Sequence, residues 1–72
     1  MTRTYTAVIH REGNLYVAEC PELDIASQGD DPTEARQNLQ EAVQLFLEVA
    51  SPTEVQRRLE GKTVTPLEVA VG

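Results

Sequence analysis

The stretch from Cys20 to Ala42 limits the fold of this chain more than any other part of it. Asp31-Pro32-Thr33-Glu34 places a capping carboxylate, a proline at the first helical position and a Glu where a capping box needs one, so we predict a helix that starts at Pro32. Just upstream, Gly29 can adopt a positive φ at little steric cost, which lets the chain leave a strand and enter the helix within a couple of residues. The stretch therefore predicts a strand, a turn and a helix in immediate succession.

The segment before this stretch is typical of an antiparallel hairpin. Residues Tyr5 to His10 and Leu15 to Cys20 are rich in β-branched and aromatic types, and Gly13-Asn14 between them is a two-residue turn signal. Because the turn fixes the register, it pairs Glu12 with Leu15, Arg11 with Tyr16, Ile9 with Ala18 and Ala7 with Cys20. One face of the hairpin then collects Tyr5, Ala7, Ile9, Tyr16, Ala18 and Cys20.

The opposite face of the hairpin is half apolar. It holds three apolar and three polar side chains, namely Val8, Leu15 and Val17 with Thr6, His10 and Glu19. An apolar surface of this kind predicts that something covers it.

Pro21 cannot donate to a ladder and should end the second strand, and a short third strand is expected around Ile25 to Gln28. Three antiparallel strands therefore precede the helix.

The helix that starts at Pro32 has one apolar side. On a helical wheel this side holds Ala35, Leu39, Ala42, Val43, Phe46, Val49 and Ala50, so we expect the helix to lie flat on the sheet. Leu45 lies outside the apolar stripe. We interpret it as a core-edge or surface residue, with a partner contact as the alternative.

A second helix and a last strand are predicted towards the C-terminus. Ser51-Pro52-Thr53-Glu54 repeats the helix-start signal, so a short helix should run through Val55 to Leu59 and stop before Gly61. The alternation of Leu67, Val69 and Val71 with Glu68 and Ala70 then predicts a C-terminal strand, which Pro66 confines to an edge or a bulge. The predicted fold class is α+β, in the order βββα(α)β.

The chain is expected to form one small domain, residues 1–72, with little stability of its own. A single core of this size rarely supplies more than roughly 3–5 kcal/mol, and one cysteine cannot form an internal disulfide. Self-association is the expected remedy. We predict a homodimer or higher oligomer in which the strand around Leu67, Val69 and Val71 pairs across the subunit boundary, and exchange of this strand between chains is one form of such pairing.

Charge and the N-terminal sequence limit the partners and the location. Twelve acidic residues against six basic ones give a net charge of −6, which disfavours direct nucleic-acid binding. Solubility accounts for this acidity, and a basic protein partner is the alternative. Residues Met1 to Tyr5 lack the apolar run of a signal peptide, and no segment has the length that would span a bilayer. We therefore expect a cytoplasmic protein.

Few residues could support catalysis. His10, the single histidine, has no nucleophile beside it in sequence, and Cys20 has no basic neighbour that would lower its pKa. We interpret His10 as a solvent-facing or interface residue and Cys20 as a small buried hydrophobe. A magnesium site is an alternative reading of the carboxylates Glu22, Asp24, Asp30, Asp31 and Glu34, although their spacing is that of turns and caps. We expect no enzymatic activity, no cofactor and no metal.

Taken in order, several short motifs carry a family resemblance. They are Tyr-x-Ala-x-Ile at Tyr5 to Ile9, Gly13 followed by Tyr16 and Ala18, Pro21-Glu22-Leu23, Ser27-x-Gly29, Thr33-Glu34-Ala35, and Asn38 to Glu41-Ala42. With these motifs the chain resembles the N-terminal domain of the HicB family of antitoxins in its short stand-alone form. The family often has Gly-Cys after the Pro-Glu-Leu corner, whereas this chain has Asp24-Ile25, so a more open corner is expected.

The resemblance implies a βββα fold with a further strand, a partial relative of the ribonuclease H topology. It also implies that the chain binds and blocks a small HicA-like toxin, a protein that cleaves RNA. The candidate contacts, chosen from charge and exposure, are Glu22, Asp24, Asp30 and Asp31. Family members often carry an added DNA-binding domain, and since this sequence stops at Gly72 we do not expect it to repress its own transcription. The alternatives are an orphan self-associating dimeric domain without a toxin, and a metal-dependent nuclease.

Overall fold

Residues 3–72, the part of the chain that a computed structural model describes, contain three antiparallel strands followed by two helices. The elements are β1 (Val8–Glu12), β2 (Leu15–Cys20), β3 (Ile25–Gly29), α1 (Pro32–Val49) and α2 (Pro52–Leu59). The sheet order is β1-β2-β3, so β2 is the central strand. The predicted α+β class and the order βββαα are confirmed. The first two residues of the predicted domain 1–72 lie outside the described residues.

The hairpin register follows the prediction wherever β1 and β2 pair. Ile9 lies opposite Ala18, Arg11 opposite Tyr16 and Glu12 opposite Leu15, and Gly13 has a φ of 59° in the turn. The bounds of β1 differ from the predicted Tyr5 to His10, because the strand begins at Val8 and continues to Glu12. The predicted pair of Ala7 with Cys20 therefore lies outside the ladder. Before Val8 the backbone is held by a side chain instead, since the N–H of Thr6 donates to the Glu22 carboxylate at 2.9 Å.

The core lies between the inner face of the sheet and α1. The buried apolar side chains are Ala18, Cys20, Leu23, Ala35 and Leu39. Packed against them are the partly buried Tyr5, Ile9, Tyr16, Ile25, Val43, Phe46 and Leu59. The helix packs mainly on β3, less on β2 and least on β1. The β1 side of the inner face is therefore poorly covered, and Ala7, which was predicted to point inward, is exposed.

Both helices begin where the capping signals place them. The Asp31 carboxylate accepts from the N–H of Glu34 at 2.7 Å, and the Ser51 hydroxyl accepts from the N–H of Glu54 at 3.1 Å. An 18-residue helix extends about 27 Å, whereas strands of five or six residues extend about 17–20 Å. Because α1 outruns the sheet, Val49, predicted on the apolar side, is exposed. Leu45 is exposed as well, in agreement with its interpretation as a surface residue.

The predicted C-terminal strand is not formed. Residues 63–72 belong to no helix or strand and are exposed along their whole length. Leu67 is 85% exposed, Val69 69% and Val71 95%. The alternating pattern favours an extended backbone, but a strand is stable only beside another strand, and none of the described strands pairs with this segment. The ribonuclease H-like topology includes a strand at this point, so the three-stranded sheet alone does not establish that likeness.

Gly29 allows the turn from β3 into α1, although not for the predicted reason. The positive φ values among the described glycines belong to Gly13 and Gly61. A Cβ on Gly29 would instead lie 2.5 Å from the backbone nitrogen of Ala35 and 2.8 Å from the carbonyl carbon of Glu34. Glycine is required here because the first turn of α1 lies directly against the end of β3.

We predict that Gly29→Ala destabilises the fold by about 1–3 kcal/mol, because the added methyl group meets rigid helix backbone rather than a movable side chain. Gln28→Ala is the matched control, since it truncates an exposed side chain at the adjacent position and should change stability by less than about 0.5 kcal/mol. Urea unfolding of the two variants measures the difference. Equal stabilities would contradict the close approach described here.

Candidate docking surfaces

The corner between β2 and β3 is a tight turn. The N–H of Leu23 donates to the carbonyl of Cys20 at 3.3 Å, and Asp24 has a φ of 56°. Aspartate enters this left-handed region more readily than most residues, since its short polar side chain can hydrogen-bond locally. The expectation of a more open corner is therefore wrong. Asp24 adopts the conformation for which a glycine would ordinarily be used.

Cations from the second helix and the residues after it hold this corner in place. The Arg58 guanidinium donates to the carbonyl of Leu23 at 2.9 Å and lies 4.5 Å from the centre of the Phe46 ring. The Lys62 ammonium donates to the carbonyl of Pro21 at 3.2 Å and forms an ion pair with Asp24. The short helix α2 and Lys62 are thus anchored to the corner. Lys62 directly precedes residues 63–72, which we call the C-terminal segment.

Glu22 links the corner to the segment before β1. Its carboxylate accepts from the N–H of Thr6 at 2.9 Å and from the thiol of Cys20 at 3.6 Å. Burial acts to raise the pKa of Glu22, but hydrogen bonds from Thr6 and from its own backbone outweigh this and lower the pKa overall. Burial raises the pKa of the Cys20 thiol, and the Glu22 charge raises it further. Cys20 is thus a buried core residue and a poor nucleophile.

The four predicted contact residues do not form one patch. Glu22 and Asp24 lie at the corner before β3, whereas Asp30 and Asp31 follow β3. Since a strand rises about 3.3 Å per residue, the two pairs lie roughly 20 Å apart along the strand. Three of these carboxylates also have structural partners: Thr6 for Glu22, Lys62 for Asp24 and Glu34 for Asp31. The Asp30 side chain makes no hydrogen bond or ion pair with the described residues.

His10 and Cys20 cannot act together, because they lie on opposite faces of the sheet. The ladder places His10 opposite Val17 on the face away from α1, with its Nε2 atom 3.7 Å from the Glu12 carboxylate. Cys20 points into the core on the other face. His10 is therefore an exposed strand residue, one of the two interpretations that the sequence allowed.

The sheet face away from α1 is the first exposed surface that could bind a partner. We call it the outer sheet face; its residues are Val8, His10, Glu12, Leu15, Val17, Glu19, Ala26 and Gln28. Val8 is 49% exposed and Leu15 37%. Each lies beside a carboxylate on the neighbouring strand, with Glu19 opposite Val8 and Glu12 opposite Leu15. The outer sheet face thus combines apolar side chains with negative charge, and none of the described elements covers it.

A groove at the β1 edge is the second exposed surface. It lies between residues 3–7 and α1, has a volume of about 800 Å³, and will be called the edge groove. Its apolar lining comes from Tyr5, Ala7, Cys20, Leu39, Val43 and Leu47. Tyr5 also packs against the core, where its hydroxyl is buried without a hydrogen-bond partner among the described residues. An unpaired buried donor of this kind costs about 1–3 kcal/mol.

Residues 3–72 contain no cluster of three or more His, Cys, Asp or Glu side chains that could hold a metal ion. No helix in the same range is both long and apolar enough to cross a membrane. Comparisons with protein-family models, curated proteins and solved structures gave no match to this chain.

We predict that Glu22→Gln weakens the fold in a pH-dependent way. Because the pKa of Glu22 is lowered in the folded state, its contribution is present above the unfolded-state pKa of about 4.3 and is lost as the pH falls through the lower folded-state value. The difference from the wild type should be about 1 kcal/mol at pH 7, reduced by solvent screening, and should shrink as the pH falls below the unfolded-state pKa. Urea unfolding across this pH range measures it, with the exposed Glu19→Gln as control. A difference that did not shrink on acidification would contradict the assignment.

A second prediction concerns the backbone at Asp24. Asp24→Val should destabilise the fold by about 1–2 kcal/mol, because a β-branched residue is strained at positive φ, whereas Asp24→Gly should remain close to the wild type. Both variants remove the exposed ion pair with Lys62, which is worth less than about 1 kcal/mol. The difference in stability between the two variants therefore reports the cost of the positive φ without the ion pair. Thermal unfolding that showed equal losses would assign the effect to the ion pair instead.

Proposed function

We propose that this chain is an antitoxin-type binding protein that neutralises a small, basic, HicA-like RNA-cleaving protein by direct contact. The observation that carries the proposal is the outer sheet face, where exposed apolar side chains alternate with carboxylates and no described element covers them. The resemblance to HicB antitoxins, from Tyr5 to Ala42, supports it independently. In this proposal the chain acts by binding, without catalysing a reaction, and works in the cytoplasm where such a toxin meets RNA.

The chemistry of the outer sheet face fits a partner of this kind. Protein interfaces combine an apolar centre with a polar rim, and Val8, Leu15 and Val17 supply such a centre. A protein that cleaves RNA needs cations to hold the phosphate backbone. The net charge of −6, with Glu12 and Glu19 among the apolar residues, is complementary to those cations and would speed and orient association.

Among the four acidic residues predicted from the sequence, Asp30 fits this surface best. It follows Gly29, which pairs with Tyr16, so it lies at the hairpin end of the sheet near Leu15. Glu22, Asp24 and Asp31 hold the local structure together, and their substitution would disturb the fold as well as any contact. We propose Asp30 as a rim contact and give these three a supporting role.

The alternatives differ in their support. Self-association without a toxin is favoured by separate features, the edge groove and the exposed C-terminal segment, and is compatible with toxin binding. A metal-dependent nuclease would need several carboxylates to converge on one ion. The acidic residues that suggested it lie at the two ends of β3, so the described residues provide no support for that function.

The first step of the test is to establish whether a neighbouring gene encodes a small basic protein, and its absence would favour the orphan self-associating domain. The second step uses that protein. We expect an equimolar amount of the chain to abolish cleavage of a fluorescent RNA by that protein. Leu15→Lys and Val8→Lys should each weaken binding about 10- to 100-fold, because they place a cation in an apolar contact that faces other cations. Calorimetric titration measures the affinities.

Leu45→Lys is the matched control. It makes the same substitution on the solvent side of α1, where Leu45 is 60% exposed, and should leave the affinity within about twofold of the wild type, as surface changes away from a contact do. Undiminished RNA cleavage in the presence of excess folded chain would refute the proposed function. Equal affinities of all three variants would refute the assignment to the outer sheet face.

A further inference from the structure

We propose that the C-terminal segment of one chain adds as a fourth strand along β1 of a second copy, and that the second copy returns the same contact. In this arrangement Leu67, Val69 and Val71 fill the edge groove. The site is distinct from the outer sheet face, so the inference goes beyond the proposed function and is independent of it.

The C-terminal segment has the pattern of a strand but no partner in the single chain. Its three alternating apolar residues, Leu67, Val69 and Val71, are 69–95% exposed. Alternation with a period of two puts all three on one side of an extended backbone, with Glu68 and Ala70 on the other. Such a segment gains stability only by pairing with a sheet edge that has an apolar surface beside it.

The free edge of β1 and the edge groove, which is lined by residues 3–7 just before β1, together offer both parts of that requirement. β1 is an edge strand of the described sheet, so half of its backbone N–H and C=O groups point away from β2 and have no ladder partner. Because α1 lies mainly over β3 and β2, the space above this edge is open. The side chains of Leu39, Val43 and Leu47 form the helical wall of that space. A strand placed beside β1 would bury one face of alternating residues against this wall.

Charge at the groove also matches the segment. Arg3 and Arg36 lie in the lining, together with one acidic residue, Glu48. The segment after Lys62 carries a single charged side chain, Glu68. Alternation turns Glu68 away from this lining, so Glu68 forms no ion pair there. The lining, with two guanidinium groups and one carboxylate, still repels an acidic segment less than the outer sheet face does.

The same chain contains both the groove and the segment, yet it does not join them. The radius of gyration of 14.0 Å exceeds the roughly 11 Å expected of a compact chain of this length, because the segment extends away from the domain. The segment starts after Lys62, which is held at the carbonyl of Pro21, so a return to the chain's own groove depends on residues 63–66 bending towards it. Thr63, Val64 and Thr65 are β-branched, and Pro66 restricts the residue before it to extended backbone. A stiff connection of this kind favours exchange between chains over closure within one.

The experiment compares two adjacent substitutions in the full chain. Val69→Lys puts a charge on the groove side of the segment, whereas Ala70→Lys puts the same charge on the other side. We expect sedimentation equilibrium to show a wild-type dimer, and Val69→Lys to raise its dissociation constant about 100-fold or more, since each dimer contains the contact twice. Ala70→Lys should change it by less than about fivefold. Val69 is 69% exposed and is not among the residues packed against the core, so we expect the domain itself to stay folded, which circular dichroism will check.

Hydrogen exchange of the amides in residues 67–71 separates the remaining outcomes. Protection that is present in the dimer and lost with Val69→Lys supports strand exchange. A monomer with protected amides would show that the segment closes on its own groove, and a monomer without protection would show that it binds nothing. A dimer that persists in Val69→Lys with unprotected amides would place the contact elsewhere. Each of these last three results overturns the proposal.

Discussion

The position of α1 depends on the absence of a side chain at Gly29. A Cβ at that position would overlap the backbone of the first helical turn, at 2.5 Å from the nitrogen of Ala35. The helix can therefore leave β3 at once and lie over β3 and β2, with Ala35 and Leu39 buried beneath it. The same placement leaves β1 almost uncovered. The edge groove is thus a consequence of how closely strand and helix approach at this one residue.

Much of this fold could be predicted from the sequence because its signals are local. The caps at Asp31 and Ser51, the turn at Gly13 and the alternation around it act within a few residues, and each produced the expected element. The segment from Leu67 to Val71 has an equally clear pattern, but a strand needs a partner that the pattern does not specify. Asp24 was mispredicted for a different reason. The absence of a glycine there suggested an open corner, but the turn in which Asp24 lies gives its backbone a left-handed conformation.

The candidate site was harder to predict, for a physical reason. Charge and expected exposure selected Glu22, Asp24, Asp30 and Asp31, but carboxylates are favoured in caps and turns because they bind backbone and neighbouring cations there. Three of the four do so in the structure. The half-apolar hairpin face was a second sequence signal, and none of the described elements covers it. The edge groove had no sequence signal, because it arises from the offset between α1 and the sheet.

The two proposed contacts would reinforce each other. A strand added beside β1 with Leu67, Val69 and Val71 in the groove turns Glu68 and Ala70 towards the outer sheet face, next to Val8 and His10. The partner-binding surface would then become wider and more acidic in the dimer than in the monomer. Because binding free energies are reciprocal, a basic partner that contacts this enlarged face would stabilise the exchanged dimer by the same amount that dimerisation strengthens its own binding. Self-association would then be part of partner recognition as well as a source of stability for a small core.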